Sequence, residues 1–471
     1  MRSLFPIAFL CMLSSVQAQM PTKPHIILLM CDDLGWGDVG FNGSQKARTL
    51  NLDQLAAKGV RFNRFYSASP VCSPTRGSCL TGRNPYRYGI PNANSGHMLP
   101  EEITLAEVLQ DAGYTTGHFG KWHLGTLTTQ VKDANRGRPG DSTHYSLPTY
   151  HGFDAYFATE SKVPTYDPMW KPNVFDTARG ESLRYGWGNV QDYTQAESYG
   201  TYYWGGEEKR IQGELEGDNS KVIMDRALLF MENAIQNEQA FFTVIWLHTP
   251  HLPVVADSSH RALFAQLSYT EQLYYGTIYA MDEQVGRLWQ QLERWGQAQN
   301  TLLCFASDNG PERNTPGSPG PFRERKRSLY EGGVRIPAFW LWPAHLQAGK
   351  VIDAPAVTHD YLPTIVELLG LSYPTDRILD GRSLVSLLEG KESKRGKPIG
   401  FLYPKKQSWV TDRYKLIRTN EGETWELYDL LKDPSESNNI APQHKQKVEE
   451  MKQAFRNWRA SVRSSAAGEE Y

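Results

Sequence analysis

Cysteine is scarce, with five in 471 residues, far too few for a disulfide scaffold in a chain of this length. Charge of one sign is missing as well. Fifty Lys and Arg face 52 Asp and Glu, for a formal net charge of −2, which excludes both a polybasic nucleic-acid binder and an acidic tail. No segment supplies about 20 consecutive apolar residues, so no membrane span is expected, and no repeat recurs at solenoid or propeller periods. What is there is the composition of an ordinary folded protein, 40% hydrophobic, 22% charged and 12% aromatic, which excludes wholesale disorder. Chains beyond roughly 250–300 residues usually divide their core, so one large unit and a smaller one are expected.

The first residues read as a sorting signal. Arg2 gives a positive start, Leu4 to Leu13 is apolar apart from Pro6, and Val16-Gln17-Ala18 has the small residues that a signal peptidase reads. Cleavage after Ala18 and export, to the periplasm or beyond the cell, are expected. Cys11 lacks the small residues that precede a lipoprotein cysteine, which argues against a lipid anchor.

Short apolar runs then alternate with helical patterns, the signature of an α/β protein with a largely parallel sheet. His25 to Cys31, Phe241 to Leu247 and Thr301 to Ala306 read as buried strands. Thr104 caps a helix that Gly113 stops, a second starts near Asn219, and a third carries Ile278, Met281, Val285, Leu288 and Leu292 at helical spacing. Beyond about Gly381 the texture changes to short strand-like pieces, Phe401–Tyr403, Ser408–Val410, Tyr414–Ile417 and Trp425–Tyr428, before an amphipathic helix around Val448 to Trp458. The expected architecture is a large mixed, mostly parallel sheet flanked by helices, with a small C-terminal antiparallel sheet and a terminal helix. The expected organisation is a signal peptide over 1–18, a main domain over 19–390 and a C-terminal subdomain over 391–471, with Gly390 to Lys397 as linker.

The polar residues fall where chemistry would need them. The strand ending at Cys31 runs into Asp32-Asp33, and the one ending at Ala306 into Ser307-Asp308-Asn309-Gly310. The strand ending at Leu247 runs into His248-Thr249-Pro250-His251, and a fourth strand, Thr115 to Phe119, leads to Lys121-Trp122-His123. Ligands of open parallel sheets bind at the carboxyl ends of strands, so these four clusters are expected to share one pocket. Singly, each is as well explained by a turn or a helix cap. Together, the oxygen donors Asp32, Asp33, Asp308 and Asn309 favour Ca²⁺ or Mg²⁺ over zinc. Cys72, followed by Pro74 and Arg76, reads as an exposed, electropositive thiol and a candidate nucleophile.

The stretch Cys72-Ser73-Pro74-Thr75-Arg76, followed by Leu80-Thr81-Gly82-Arg83, resembles the maturation motif of formylglycine-dependent type I sulfatases of the alkaline phosphatase superfamily. Asp32-Asp33-Leu34-Gly35-Trp36-Gly37-Asp38 upstream, then Gly120-Lys121-Trp122-His123-Leu124-Gly125, Asp308-Asn309-Gly310 and Tyr330-Glu331-Gly332-Gly333, follow in that family's order, and the resemblance runs from His25 to about Ala441. It implies that Cys72 is oxidised to formylglycine by a maturation enzyme. It implies calcium held by Asp32, Asp33, Asp308 and Asn309, with the modified Cys72 facing the ion. Arg76, Lys121 and His123 resemble the residues that hold the aldehyde hydrate and a sulfate oxygen, and Lys326 matches a second sulfate-binding lysine, flanked by Arg325 and Arg327. The family's acid histidine precedes x-Pro, a pattern that His248 and His251 both satisfy; His251 is preferred for its Leu-Pro-Val continuation. Two positions depart from the usual pattern: Thr75 stands where Ser is common and keeps the hydroxyl, and Leu50 replaces a Pro before Asn-Leu-Asp.

The resemblance implies hydrolysis of a sulfate ester, one hydroxyl of the hydrate attacking sulfur and the other later expelling sulfate. A sulfated carbohydrate is the expected substrate, with an aryl sulfate as a simpler one. Fourteen of the 55 residues from Tyr150 to Trp204 are aromatic, and such rings pack on sugar faces; for any single ring, filling of a local core explains it as well. A phosphonate or phosphodiester hydrolase of the same superfamily, and a non-catalytic glycan-binding relative, are the alternative readings.

Overall fold

Ile26, Leu28 and Met30 leave the first strand on one side and Ile27, Leu29 and Cys31 on the other, and both sets are buried in large apolar clusters. A strand apolar on both faces needs helices above and below it, and that is what surrounds it. In the computed structural model, which describes residues 23–172, 192–206, 208–373, 377–420, 422 and 424–469, this strand, His25–Cys31, lies inside a ten-stranded sheet. The expected signal peptide and positions 173–191 of the aromatic stretch lie outside the described residues.

Five neighbouring strands of that sheet are parallel, in the order Thr301–Ser307, His25–Cys31, Phe241–Trp246, Thr115–Lys121 and Ala155–Thr159. Their ends are in step: Cys31 pairs with Ser307, Met30 with Trp246, Gly120 with Trp246 and Lys121 with Thr159. All five carboxyl ends therefore open on one edge. Antiparallel strands flank this block, Ala338–Leu341 beside Thr301–Ser307 and Tyr203–Gly205 beside Ala155–Thr159, making the sheet mixed as expected.

The helices follow their sequence signals. Thr104 closes a capping box with Glu107 at the start of Leu105–Asp111, and Asp218 caps Asn219–Gln236. The Ile278 pattern belongs to Tyr269–Arg294, capped by Ser268. A second sheet of four antiparallel strands, Ile399–Tyr403, Lys406–Val410, Tyr414–Arg418 and Glu426–Asp429, precedes the terminal helix Lys445–Ala466, which extends beyond the expected span at both ends. The expected linker is tied down: the Arg395 guanidinium pairs with Asp360 and its amide with Asp412. No described helix is long and apolar enough to cross a membrane.

Candidate functional site

Cys72 reaches the carboxyl edge of the sheet as the first residue of a helix, Cys72–Thr81, whose every residue is buried. The expected exposure is corrected here: Cys72 is only 3% exposed. Pro74 sits in the helix's first turn, where its missing N–H removes no hydrogen bond. Arg76 is a core residue: its guanidinium donates to Asp308 Oδ2 at 2.7 Å and stacks 5.3 Å from the centroid of the Trp246 ring. The thiol is enclosed because Cys79 and Leu80 anchor its helix in the apolar core.

The four strand-end clusters converge around it. Lys121 donates to Asp32 Oδ2 at 2.7 Å, Lys326 lies 2.6 Å from Asp33 Oδ1, and Asn309 Nδ2 donates to the same Asp33 oxygen at 2.6 Å. The Asp33 amide donates to Asp308 Oδ1 at 3.0 Å. Asp33 and His123 hold left-handed backbones, with φ of 65° and 57°, a cost that folded chains tend to carry at functional sites. Burial works against charge on Asp32, yet Lys121, His251 and Arg76 hold its carboxyl well below the usual range. Burial and the adjacent Asp32 carboxylate push Asp308 up.

Two features fit a hard cation. Asp32 Oδ1 and Asn309 Oδ1 are buried oxygens with no hydrogen-bond donor among the described residues, a costly condition unless a ligand satisfies it. Ligand atoms of Asp32, Cys72 and Asp308 lie within 4.8 Å of one another, as do those of Asp32, Asp33 and His251. Oxygen dominates this donor set, which suits calcium.

The two histidines separate by their partners. His248 has both nitrogens engaged, Nε2 with Thr159 Oγ1 at 2.8 Å and Nδ1 with Asn219 Nδ2 at 3.0 Å, and burial pushes it down to about 3. His251 donates from Nδ1 to the Leu252 carbonyl at 2.6 Å, since that oxygen can only accept. Its Nε2 faces the cluster, 3.5 Å from Asp33 Oδ2. Both ring nitrogens of His123 are buried without a hydrogen-bond partner among the described residues.

Several residues beside the site were not singled out from sequence. Lys162 follows the fifth parallel strand and lies close enough to Lys326 and Lys121 for burial and their charges to lower its pKa; the rule that found the other clusters, polar residues just past a strand, would have found Glu160-Ser161-Lys162. Glu312 sits 3.5 Å from Lys326 and pairs with Arg327. The buried Arg136 binds Glu160 at 3.0 Å and Ser73 Oγ at 3.3 Å. Tyr403, from the C-terminal sheet, lies within the electrostatic reach of Lys326 and Cys72. The aromatic stretch divides: Phe153, Tyr156, Phe157, Tyr203 and Trp204 are core, Phe157 and Tyr203 stacked at 4.1 Å, while Tyr150 and Tyr193 are exposed.

A family model described as Sulfatase matches residues 24–371, and one described as N-sulphoglucosamine sulphohydrolase, C-terminal, matches residues 322–461. N-acetylgalactosamine-6-sulfatase of Mus musculus is 33% identical over 401 residues, covering 81% of this chain and 70% of that protein. Steryl-sulfatase of Homo sapiens is 30% identical over 466 residues, covering 84% and 75%. Among solved structures, Ps i-CgsB in complex with k-i-k-neocarrahexaose is similar with a TM-score of 0.76 and 28% identity, covering 93% of this chain and 92% of that one.

Proposed function

The chain belongs to the sulfatase family, as a type I sulfatase of the alkaline phosphatase superfamily and so a sulfuric ester hydrolase, and from that premise we propose that it desulfates a carbohydrate through a formylglycine at position 72 and a calcium ion. The observation that carries this reading is the convergence of Asp32, Asp33, Asp308, Arg76, Lys121 and Lys326 on the buried start of the Cys72 helix. Asp32, Asp33, Asp308 and Asn309 would hold calcium, which when bound supplies positive charge beside the sulfate oxygens. Formylglycine, once made at position 72, supplies a hydrated aldehyde with two hydroxyls.

This chain's own residues do the rest. A sulfate ester crowds negative charge on its oxygens, and Lys121, Lys326 and Arg76 are fixed cations that can hold those oxygens in a water-poor site. Arg76 and His123 flank position 72 and orient the group there. His251, with Nδ1–H anchored on the Leu252 carbonyl, turns Nε2 toward the cluster, and in its doubly protonated form it would deliver the Nε2 proton to the leaving oxygen. His248, with both nitrogens occupied, positions the turn that carries His251.

Sulfated carbohydrate is favoured as substrate because one relative is named for N-acetylgalactosamine-6-sulfate and one structural neighbour was crystallised with a carrahexaose. Residues 1–18 are read as an export leader, 19–390 as the catalytic domain and 391–471 as its C-terminal subdomain, consistent with an enzyme that meets sulfated glycans outside the cell. The deciding experiment assays protein made alongside a maturation enzyme against sulfated amino sugars, sulfated galactan oligosaccharides, an aryl sulfate and a phosphodiester. Sugar desulfation that disappears in Cys72→Ala, with an aldehyde found at residue 72 by peptide mass spectrometry, is the expected result. Faster turnover of the phosphodiester, or active protein carrying only a free thiol at residue 72, would overturn it.

A further inference from the structure

Of the carboxylates beside the site's cations, Asp32, Asp33 and Asp308 have an ion to hold, and Glu312 does not. Its side chain is only 11% exposed. Burial alone would favour a neutral carboxyl, yet Lys326 and Arg327 bring its pKa down to about 2, so it is an anion at any working pH. A buried charge of this kind is costly unless it is paired.

Its partners are two consecutive residues. Oε2 lies 3.5 Å from the Lys326 ammonium, while Oε1 pairs with the Arg327 guanidinium and accepts from the Arg313 amide at 2.8 Å. Consecutive side chains of an extended chain point to opposite sides; Arg327 instead takes a left-handed backbone, with φ of 69°, and both side chains reach one carboxylate. The backbone is pinned there as well. The Lys326 amide donates to the Pro311 carbonyl at 3.1 Å and the Arg327 amide to the Pro70 carbonyl at 2.9 Å, which ties this segment to the turn that begins at Asp308 and to the chain entering the Cys72 helix.

An ammonium has three N–H bonds, and acceptors decide where they point. Lys326 meets Asp33 at 2.6 Å and Glu312 at 3.5 Å, two protein contacts that leave room for a third, to a substrate oxygen. Asp33 is also a proposed calcium ligand, and a carboxylate whose charge is shared with an ion holds an ammonium less firmly. Glu312 stands outside that ligand set and keeps its full charge.

We propose that Glu312 is a positioning residue for the sulfate-binding lysine: it anchors the Lys326 ammonium independently of Asp33 and leaves one N–H for an oxygen of the sulfate group. The proposal rests on the sulfatase reading above and adds to it a residue that acts only through Lys326.

The test is a double-mutant cycle on the full chain, with Glu312→Gln, Lys326→Ala and both together, assayed on an aryl sulfate whose leaving oxygen needs no proton. Glu312→Gln should lower kcat/KM about tenfold, the size of one misplaced charge-assisted hydrogen bond, and by less than about twofold once Lys326 is Ala. Arg327→Gln removes the carboxylate's other partner, which is 46% exposed, and should leave kcat/KM within about twofold of the wild type. Losses that multiply in the double variant, an Arg327→Gln loss as large as that of Glu312→Gln, or no loss in Glu312→Gln would each overturn the proposal. If Glu312→Gln does not fold, Glu312→Asp, one methylene shorter with the charge kept, takes its place in the cycle, and the same dependence on Lys326 is expected.

Calorimetric titration of inorganic sulfate into Cys72→Ala protein separates this role from the sulfatase reading. Glu312→Gln should weaken Kd about fivefold when Lys326 is present and leave it unmoved when Lys326 is Ala. A tighter Kd would show that Glu312 repels the anion and positions nothing. A wild type that turns over no sulfate ester would instead refute the sulfatase reading, and the titration still decides the role of Glu312.

Discussion

His248 and His251 are three residues apart, and each stands before x-Pro, so nothing local tells them apart. What separates them comes from far along the chain: Thr159 and Asn219, 89 and 29 positions from His248, occupy both of its nitrogens. Their variants should differ accordingly. His251→Ala should cut kcat on a sugar sulfate by about 10²- to 10⁴-fold, the usual worth of a positioned acid, and far less on a nitrophenyl sulfate, whose leaving group departs without a proton. His248→Ala should lower Tm, since it strands two buried partners at about 1–3 kcal/mol each, and should harm both substrates alike. The reverse pattern would exchange the two roles. Asp308 offers a second residue-scale test. Asp308→Ala removes a predicted calcium ligand and leaves the buried Arg76 without its 2.7 Å partner, a loss of roughly 3–5 kcal/mol. Elemental analysis should find calcium depleted in this variant and present in the wild type; stoichiometric zinc in the wild type would contradict the donor set. The convergence of Asp32, Asp33, Asp308 and Asn309 was legible in the sequence because each pair follows an apolar run. Burial of Cys72 and Arg76 was not, because it depends on where a whole helix packs.

Elements explain which parts of the fold the sequence could foretell. The long strands stood out because runs of four to six apolar residues bounded by polar ones suit a buried sheet, and the helices because Thr104 carries a capping signal and Ile278, Met281, Val285, Leu288 and Leu292 recur at helical spacing. The three-stranded sheet of Phe65–Tyr66, Arg335–Ile336 and Ala356–Val357 went unseen, since two-residue strands exist only by virtue of what they pair with. This small sheet matters to the site, as it leads the chain into the Cys72 helix on one side and out of the Glu331–Val334 helix on the other. The Asp308-Asn309 turn is pressed against that second helix: Gly310 N donates to the Gly333 carbonyl at 3.0 Å, and a Cβ at Gly310 would lie 2.0 Å from the Gly332 oxygen. Gly310→Ala should therefore push the turn and its two proposed calcium ligands away from the site. A drop in Tm worth about 1–3 kcal/mol, together with weakened calcium binding, is expected; native calcium affinity in this variant would show that the turn has room to move.

At the scale of the whole molecule, buried histidines set a limit on acid tolerance. Burial pushes His151 and His359 down to about 4, against about 6.5 in an unfolded chain. Between those values the unfolded chain binds protons that the folded one does not, so stability falls as pH drops from about 6.5 to 4, by up to about 1.4 kcal/mol per pH unit for each histidine. Tm measured across that window should fall, and His359→Gln should flatten the slope by one proton's share; an unaltered slope would show that His359 is charged in the fold. The same scale holds the tie between the C-terminal sheet and the three-stranded sheet. Lys415, fully buried in the C-terminal sheet, lies 3.0 Å from Glu331 and 2.9 Å from Glu436, and Glu331 also accepts from Tyr66 at 2.9 Å.

That clasp makes a nick and a truncation opposite events. The exposed turn at 390–394 is open to a protease, yet a single cut there would leave the pieces gripped through Lys415, Glu331 and Arg395, so the nicked protein should run as one species on a sizing column and keep its activity. A chain that simply ends at residue 390 would instead leave Glu331 buried without its lysine, five residues after Lys326, and should come out of the cell unfolded or not at all.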